Sequence, residues 1–241
     1  MIHTRRLSVD GLHNARDLGG YPTPNGATRF GVFVRSEAPC SLGQNAREQL
    51  RAYGLRATAD LRSPEEVGLR PSDLQQAFSY HHLPLSGDAE SFALSDAILW
   101  EEVYIRRAED NRPWTRQVLE LAASQEGGLL FHCTTGKDRT GLIACYLLSV
   151  AGVSREDIAA DYCVSEVYLQ PVFHAMRKGL LQVRAGGKTA YDDSIFHTPA
   201  SAMLRLQDYL TSRYGSVVEY LRTAGVTDAV MDAIRAKFVA G

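Results

Sequence analysis

The sequence lacks the features of a membrane-spanning or exported protein. No stretch approaches the roughly 18 consecutive apolar residues that a membrane-spanning helix requires. The first residues, MIHTRRLSVDGLHN, contain no apolar segment of the kind found in a secretory signal. We therefore expect a cytoplasmic protein with no stable membrane insertion, while secretion without a cleaved signal stays open.

Paired cysteines and an excess of charge are also missing. The four cysteines, Cys40, Cys133, Cys145 and Cys163, are scattered without paired spacing, which favours reduced thiols over a disulfide framework or a zinc ribbon. The formal charge of −2 argues against binding to nucleic acid through bulk charge. No nucleic-acid partner is expected.

Repeats and low-complexity tracts are absent, and 241 residues suit one domain with a sizeable core. Residues 42–54 and 112–125 have helical spacing of apolar residues, and Gly54 is a candidate C-cap. Short strand patterns end near Asp60 and near Leu85, between those helices. This alternation predicts an α/β fold with a central sheet flanked by helices.

The predicted domain covers residues 1–241. Residues 88–111 are acidic and partly amphipathic, and we consider them a candidate lid or insertion. The part from 154 to 241 is predicted to be mainly helical, with Ser154 at a helix start.

The most informative stretch is GLLFHCTTGKDRTG, residues 128–141. A strand over Leu129–His132 leads into a short loop and then an apolar helix at 141–152. The amide groups at such a helix start, together with the helix dipole, bind anions. Gly136 permits a tight turn, and Arg139 can offer a planar fork of donors to two phosphate oxygens.

The same positive environment favours the thiolate form of a cysteine at the strand end. Cys133 is therefore predicted to be a nucleophile that attacks phosphorus, while the loop amides and Arg139 stabilise the charge on the oxygens. Thr140 can donate a hydrogen bond to the sulfur as it leaves. Thr134 and Thr135 are interpreted as loop residues that contribute backbone amides. No metal and no cofactor is required.

With these residues in place, HCTTGKDRTG resembles the H-C-x5-R-[S/T] signature of cysteine-dependent tyrosine phosphatases, and in detail the bacterial and fungal tyrosine phosphatase family 3. Further segments are similar to that family in the same order along nearly the whole chain: NARDLGGY (14–21), FVRSEAP (33–39), DLRSPEE (60–66), DIAADYCVSE (157–166) and YGSVVEYLRTAGVT (214–227). The resemblance implies a protein-tyrosine-phosphatase-like fold, with a mostly parallel sheet and a helical C-terminal region.

The resemblance also bears on the substrate. In that family the G-K-D-R loop accompanies activity on phosphotyrosine, phosphoserine/threonine and phosphoinositides. Lys137 adds a positive charge beside the reacting group, which favours substrates that carry additional negative charge. The expected partner is thus a phosphorylated protein, with a phosphoinositide as a second class of substrate.

Two aspartates are candidates for the general acid. The resemblance supports Asp138, which the loop holds within reach of the leaving group. Asp88, in LPLSGDAE, follows a strand and can lie on a mobile loop, although Ser-Gly-Asp is also ordinary turn chemistry. We favour Asp138 on placement.

Several polar residues receive supporting roles. His132 is interpreted as a structural residue whose ring supports the loop and the thiolate, not as a catalytic base. Asp60 and Arg62 end a strand at the edge where ligands bind in open α/β sheets, so they either order the loop or form a structural ion pair. For Asn14, Arg16 and Asp17 we favour a capped turn around Gly19–Gly20.

Other functions fit less well. A Walker A loop fails because Asp138 follows Gly136-Lys137 and Phe131 occupies the place of the first glycine. A zinc site at His81, His82, His132 and Cys133 lacks the required ligand spacing. A rhodanese-like sulfurtransferase and a non-catalytic phosphate-binding module remain as alternatives to the phosphatase.

Overall fold

The computed structural model describes residues 4–85, 99–185 and 193–240, with side chains described in these ranges except at 179–185. Within these ranges the strands are β1 (Arg16–Asp17), β2 (Pro22–Thr23), β3 (Gly26–Thr28), β4 (Phe33–Ser36), β5 (Leu55–Asp60), β6 (Ser79–His82), β7 (Gly128–His132) and β8 (Val239–Ala240). The helices are α1 (Gln44–Ala52), α2 (Pro64–Leu69), α3 (Trp100–Asp110), α4 (Arg112–Ser124), α5 (Asp138–Ala151), α6 (Arg155–Tyr168), α7 (Gln170–Ala185), α8 (Ala200–Tyr214), α9 (Val217–Thr223) and α10 (Asp228–Phe238), and a 3-10 helix spans Asp193–Phe196.

The central sheet has the strand order β1-β4-β7-β5-β6 in the described part of the chain. Strands β4, β7, β5 and β6 run parallel, and β1 pairs antiparallel with β4 at one edge. Strands β2, β3 and β8 form a second, small antiparallel sheet, which shares no strand with the central sheet in the described residues. The predicted α/β class with a mostly parallel central sheet is confirmed, and so is the helical C-terminal region.

The parallel register brings four strand ends into one row. His132 at the end of β7 is paired with Ser36 of β4 on one side and with Asp60 of β5 on the other. Asp60 is in turn paired with His82 of β6. The carboxyl ends of these strands therefore meet at the edge where open α/β sheets bind ligands.

Strand β7 and helix α5 occupy the interior because both are apolar on every side. All five residues of β7 are buried, as expected for a strand with parallel neighbours on both sides. Twelve residues of α5 are buried, and α4, α6, α9 and α10 pack around it. The helix starts at Asp138 and not at 141 as predicted, so Arg139 and Thr140 belong to its first turn.

Most local predictions agree with the structure. Helices α1 and α4 lie within or on the predicted ranges, Gly54 follows α1 with a φ of 109°, and the Ser154 side chain caps α6. Strand β6 ends at His82, three residues before the expected end near Leu85.

The segment 88–111 falls only partly in the described residues. Its described part is α3, which buries Trp100, Tyr104, Arg107 and Ala108 and packs against α4, α5 and α8. Residues 88–98 lie outside the described ranges, and a lid stays a prediction. None of the described helices is long and apolar enough to cross a membrane.

Candidate active site

The chain turns sharply between β7 and α5. Cys133 is the first residue after the strand and is 2% exposed, and Lys137 immediately precedes the helix. Gly136 has a φ of 69°, and a Cβ atom there would lie 2.3 Å from the carbonyl oxygen of Ser36. Both the backbone conformation and the contact with β4 thus require glycine. We refer to residues 133–137 as the cysteine loop.

The carbonyl groups of the cysteine loop are held from outside. Asn14 Nδ2 donates to the carbonyls of Thr135 at 3.0 Å and Gly136 at 3.3 Å. Arg35 Nη2 donates to the carbonyls of Gly136 at 2.7 Å and Lys137 at 3.2 Å.

Peptide planarity places each N–H opposite the preceding carbonyl, so these contacts turn the loop amides towards its interior. Within the described part of the chain, the N–H groups of Gly136 and Lys137, which follow the held carbonyls of Thr135 and Gly136, have no hydrogen-bond acceptor. Successive inward N–H groups of this kind form a concave anion-binding site.

A buried cluster fixes the two side chains that hold the loop. Asp161 of α6 forms ion pairs with Arg35 at 2.5 Å and with Arg16 at 2.9 Å. Arg16 also contacts the Asn14 side chain at 2.5 Å and Ser165 Oγ at 2.9 Å. Burial acts to raise the pKa of Asp161, but the two arginines outweigh it and lower the pKa to about 2. Asp161 is therefore a carboxylate throughout the physiological range.

The favoured interpretation of Asn14 and Arg16 as parts of a capped turn is wrong. Both side chains belong to the buried cluster behind the cysteine loop. Asp17 alone caps the glycine turn, since its carboxylate accepts from Gly19 N at 2.6 Å and from Gly31 N at 2.7 Å. Alternation within β1 sends the neighbouring side chains in different directions.

Arg139 is held beside the loop by Glu66 of α2. The guanidinium donates through Nη1 and Nη2 to the two carboxylate oxygens at 2.6 and 2.8 Å, and Nη2 lies 3.4 Å from Thr134 Oγ1. Glu66 also accepts from the Thr134 hydroxyl and from Ser63 N at the start of α2. Burial would raise the pKa of Glu66, but Arg139 lowers it to about 2. The planar guanidinium of Arg139 is thus held next to Thr134, the residue that follows Cys133.

Asp60, Arg62 and His132 lie under the loop. Arg62 donates to both carboxylate oxygens of Asp60, at 2.9 and 2.6 Å, which is the geometry of a structural ion pair. His132 Nδ1 is 3.7 Å from Asp60 and 3.4 Å from the carbonyl of Cys133. Burial lowers the pKa of His132 to about 4, so the ring is neutral at pH 7. A supporting role fits this placement better than that of a base.

Lys137 lies beside the reacting region but points into the protein. Its ammonium donates to the carbonyls of Ile195 at 2.8 Å and His197 at 3.1 Å. It also lies 4.0 Å from the centre of the Trp100 ring. These contacts occupy the N–H donors of the ammonium group, so Lys137 must reorient to meet a second anionic group of a substrate.

Asp138 and Thr140 occupy the first turn of α5. Asp138 Oδ1 accepts a hydrogen bond from the Tyr104 hydroxyl at 2.5 Å and lies 3.6 Å from the Lys137 ammonium. The buried Thr140 hydroxyl has no hydrogen-bond partner among the described residues. Asp88, the other candidate acid, lies outside the described ranges.

A cleft of about 410 Å³ opens beside the cysteine loop. Thr134, Arg62 and Glu66 form its polar side, and Leu69 of α2 and Val172 of α7 form part of its apolar side. An apolar cleft with a few convergent polar groups is the usual form of a small-molecule site.

Sequence reasoning missed four residues that shape this site: Arg35, Glu66, Tyr104 and Asp161. Arg35 and Glu66 stand inside quoted motifs, so a charged residue at a strand end or a helix start was the available signal. Asp161 also stands inside a quoted motif, DIAADYCVSE, but nothing local indicates its partners or those of Tyr104, because their contacts cross more than 30 residues of sequence.

The chain is similar to known phosphatases over most of its length. The sequence model of the tyrosine phosphatase family matches residues 7–240. A tyrosine-protein phosphatase from Nostoc commune is 32% identical, over 86% of this chain and 74% of its own length. A candidate tyrosine-protein phosphatase from Cupriavidus necator is also 32% identical, over 98% and 89%. Triple specificity protein phosphatase PtpB from Mycobacterium tuberculosis is 27% identical, over 94% and 96%.

Proposed function

Since this chain belongs to the tyrosine phosphatase family, it is a phosphatase, and we propose that it hydrolyses phosphotyrosine in proteins at the cysteine loop. One observation carries the proposal. The carbonyls of Thr135, Gly136 and Lys137 accept hydrogen bonds from Asn14 and Arg35, so the loop N–H groups point away from these partners and are available to an anion. A tetrahedral oxyanion matches such a ring of donors.

The first step transfers the phosphoryl group to the enzyme. The Cys133 thiolate attacks phosphorus in line with the ester oxygen, so an S–P bond forms as the P–O bond breaks. The loop amides and Arg139 stabilise the charge on the non-bridging oxygens. Asp138 donates its proton to the leaving oxygen, and the alcohol or phenol departs.

The second step regenerates the thiolate. Water attacks the phosphorus of the cysteinyl-phosphate, and Asp138 takes one proton from that water. The S–P bond breaks to give inorganic phosphate. We assign to Thr140 a hydrogen bond to the departing sulfur, because its buried hydroxyl has no partner among the described residues and can turn to donate it.

The proposal also covers which phosphate esters the site accepts. The apolar side of the cleft at Leu69 and Val172 suits an aromatic ring next to the phosphate. Phosphoserine and phosphothreonine in proteins are further substrates, and phosphoinositides form a second class; the relative PtpB is named a triple specificity protein phosphatase. For a phosphoinositide, Lys137 would exchange its carbonyl partners for an added phosphate.

Hydrolysis of 4-nitrophenyl phosphate and of a phosphotyrosine peptide tests the proposal, with thiosulfate as an alternative substrate. We expect phosphate release that vanadate inhibits and that a chelator leaves unchanged. Sulfur transfer from thiosulfate without phosphate release would indicate a rhodanese-like enzyme. Phosphate-ester binding without turnover would indicate a binding module, and either result would contradict the proposal.

A further inference from the structure

A buried tyrosine connects α3 with Asp138. The Tyr104 side chain is fully buried, and its hydroxyl lies 2.5 Å from Asp138 Oδ1 and 2.5 Å from the Tyr162 hydroxyl. The rings of Tyr104 and Tyr162 pack edge to face, with centroids 5.8 Å apart and planes at 86°. Three elements, α3, α5 and α6, thus meet at one hydrogen-bonded chain.

The direction of the hydrogen bonds follows from charge. Burial, and secondarily the Asp138 charge, raises the pKa of Tyr104 well above its usual value, so the phenol keeps its proton. Burial likewise raises the pKa of Tyr162. A carboxylate can only accept, so Tyr104 donates to Asp138 and Tyr162 donates to Tyr104.

We propose that Tyr104 is a positioning residue for Asp138, holding Oδ1 as an acceptor so that Oδ2 carries the proton transferred to the leaving group. This inference rests on the proposed function, which assigns the general acid to Asp138. A carboxyl group that accepts at one oxygen keeps its proton at the other. The Asp138 side chain is 18% exposed, so part of the group remains accessible.

Other charged and titratable groups around Asp138 do not replace this contact. The Lys137 ammonium lies 3.6 Å from Asp138 Oδ1, but its shorter hydrogen bonds are to the carbonyls of Ile195 and His197. Arg107, also on α3, interacts electrostatically with Lys137, and so does Cys133. From α6, Tyr162 reaches Asp138 through Tyr104. The Tyr104 hydroxyl, at 2.5 Å, is the nearest of these groups to the Asp138 carboxylate.

Tyr104→Phe removes the hydroxyl and keeps the ring packed. Because proton donation matters most for a poor leaving group, kcat for phenyl phosphate should fall roughly tenfold, a part of the usual contribution of a general acid. The kcat for 4-nitrophenyl phosphate should change about twofold or less. The KM for both substrates should stay within about twofold, because the substitution leaves the phosphate-binding loop in place.

Tyr220→Phe is the matched control. Tyr220 is buried, and its hydroxyl donates to the carbonyl of Ala108 on the same helix α3 at 2.6 Å. Losing this bond should cost stability without any dependence on the leaving group. If Tyr104→Phe slows both substrates equally, Tyr104 is only structural and the inference is overturned.

Asp138→Asn separates this inference from the proposed function. We expect it to show a larger dependence on the leaving group than Tyr104→Phe, with no further loss in the double variant, because Tyr104 acts through Asp138. If Asp138→Asn shows the dependence and Tyr104→Phe does not, the acid stands and the positioning role fails. If Asp138→Asn shows none, both assignments are overturned.

Discussion

Single side chains around the cysteine loop have their charges neutralised before a substrate arrives. Arg139 is paired with Glu66, and Arg35 with Asp161. These partners fix orientation, so little side-chain ordering remains when phosphate binds. Preorganised donors of this kind are worth more in catalysis than donors that must reorient.

Replacing the nucleophile gives the first prediction. Cys133→Ser should lower kcat by at least about a thousandfold, because a serine hydroxyl is a far weaker nucleophile than a cysteine sulfur. Binding of phosphate esters, measured by titration calorimetry, should persist since the loop amides remain. Cys40→Ser is the control, because Cys40 lines the same cleft outside the loop. Near-normal turnover in Cys133→Ser would refute the nucleophile.

The two candidate acids can be compared directly. Asp138→Asn should lower kcat by about a hundredfold or more for phenyl phosphate, and far less for 4-nitrophenyl phosphate. Asp88→Asn should affect both substrates alike. The ratio of the two kcat values is the measurement, and the reverse ranking would transfer the role to Asp88.

At the scale of elements, the turn between β7 and α5 depends on contact with β4. Gly136→Ala places a Cβ atom 2.3 Å from the Ser36 carbonyl at a φ of 69°. We expect a loss of about 1–3 kcal/mol in the free energy of unfolding, measured in urea, and loss of activity as the loop shifts. Gly68→Ala in α2 meets nothing within 4 Å and should have neither effect. Full activity in Gly136→Ala would show that the loop tolerates displacement.

Helix α6 supports the same loop from the opposite side. Asp161→Asn leaves the buried guanidiniums of Arg16 and Arg35 without their shared carboxylate, which should destabilise the protein by about 3–5 kcal/mol. The exposed pair of Asp208 with Arg155 offers a control, since Asp208→Asn should change urea unfolding very little. Equal effects of the two substitutions would mean that the buried cluster contributes no more than a surface pair.

Local elements could be predicted from the sequence because their signals are local. The apolar run before Cys133, the proline at the start of α4 and the Ser154 cap each act within a few residues. The start of α5 was placed at 141 because the polar residues Lys137–Thr140 resemble a loop, although their backbone hydrogen bonds already follow the helix from Asp138. The partnership of Asp161 with Arg16 spans 145 positions, and no periodicity encodes it.

At the scale of the molecule, residues distributed over most of the chain form one site. The single domain over residues 1–241 stays a prediction. The sheet collects the ends of β4, β5 and β7, while α2, α3 and α6 supply Glu66, Tyr104 and Asp161. Stability and the site are therefore coupled, and a change in protonation inside the sheet edge affects the whole fold.

Acid should destabilise the protein through His132. Burial lowers the pKa of His132 to about 4 in the folded state, against 6.5 for an ordinary histidine. Between these values the unfolded chain binds a proton that the native protein does not, so stability is lost as the pH falls from about 6.5 to about 4. The loss is on the order of 3 kcal/mol.

Urea unfolding at pH 7 and pH 4.5 measures this effect. His132→Asn should flatten the dependence, because asparagine does not titrate. Asp161 and Glu66, with pKa values of about 2, contribute only at lower pH. An unchanged pH dependence in His132→Asn would assign the acid sensitivity to other groups.

The tie between Asp161 and the arginines at 16 and 35 has a bearing on biosynthesis. A ribosome delivers the cysteine and its arginine well before it delivers the aspartate that locks their scaffold. A nascent chain halted ahead of α6 would carry every reacting group and still lack a rigid cup to hold phosphate. Turnover would thus be withheld from unfinished polypeptides and begin only once folding has recruited the later helices.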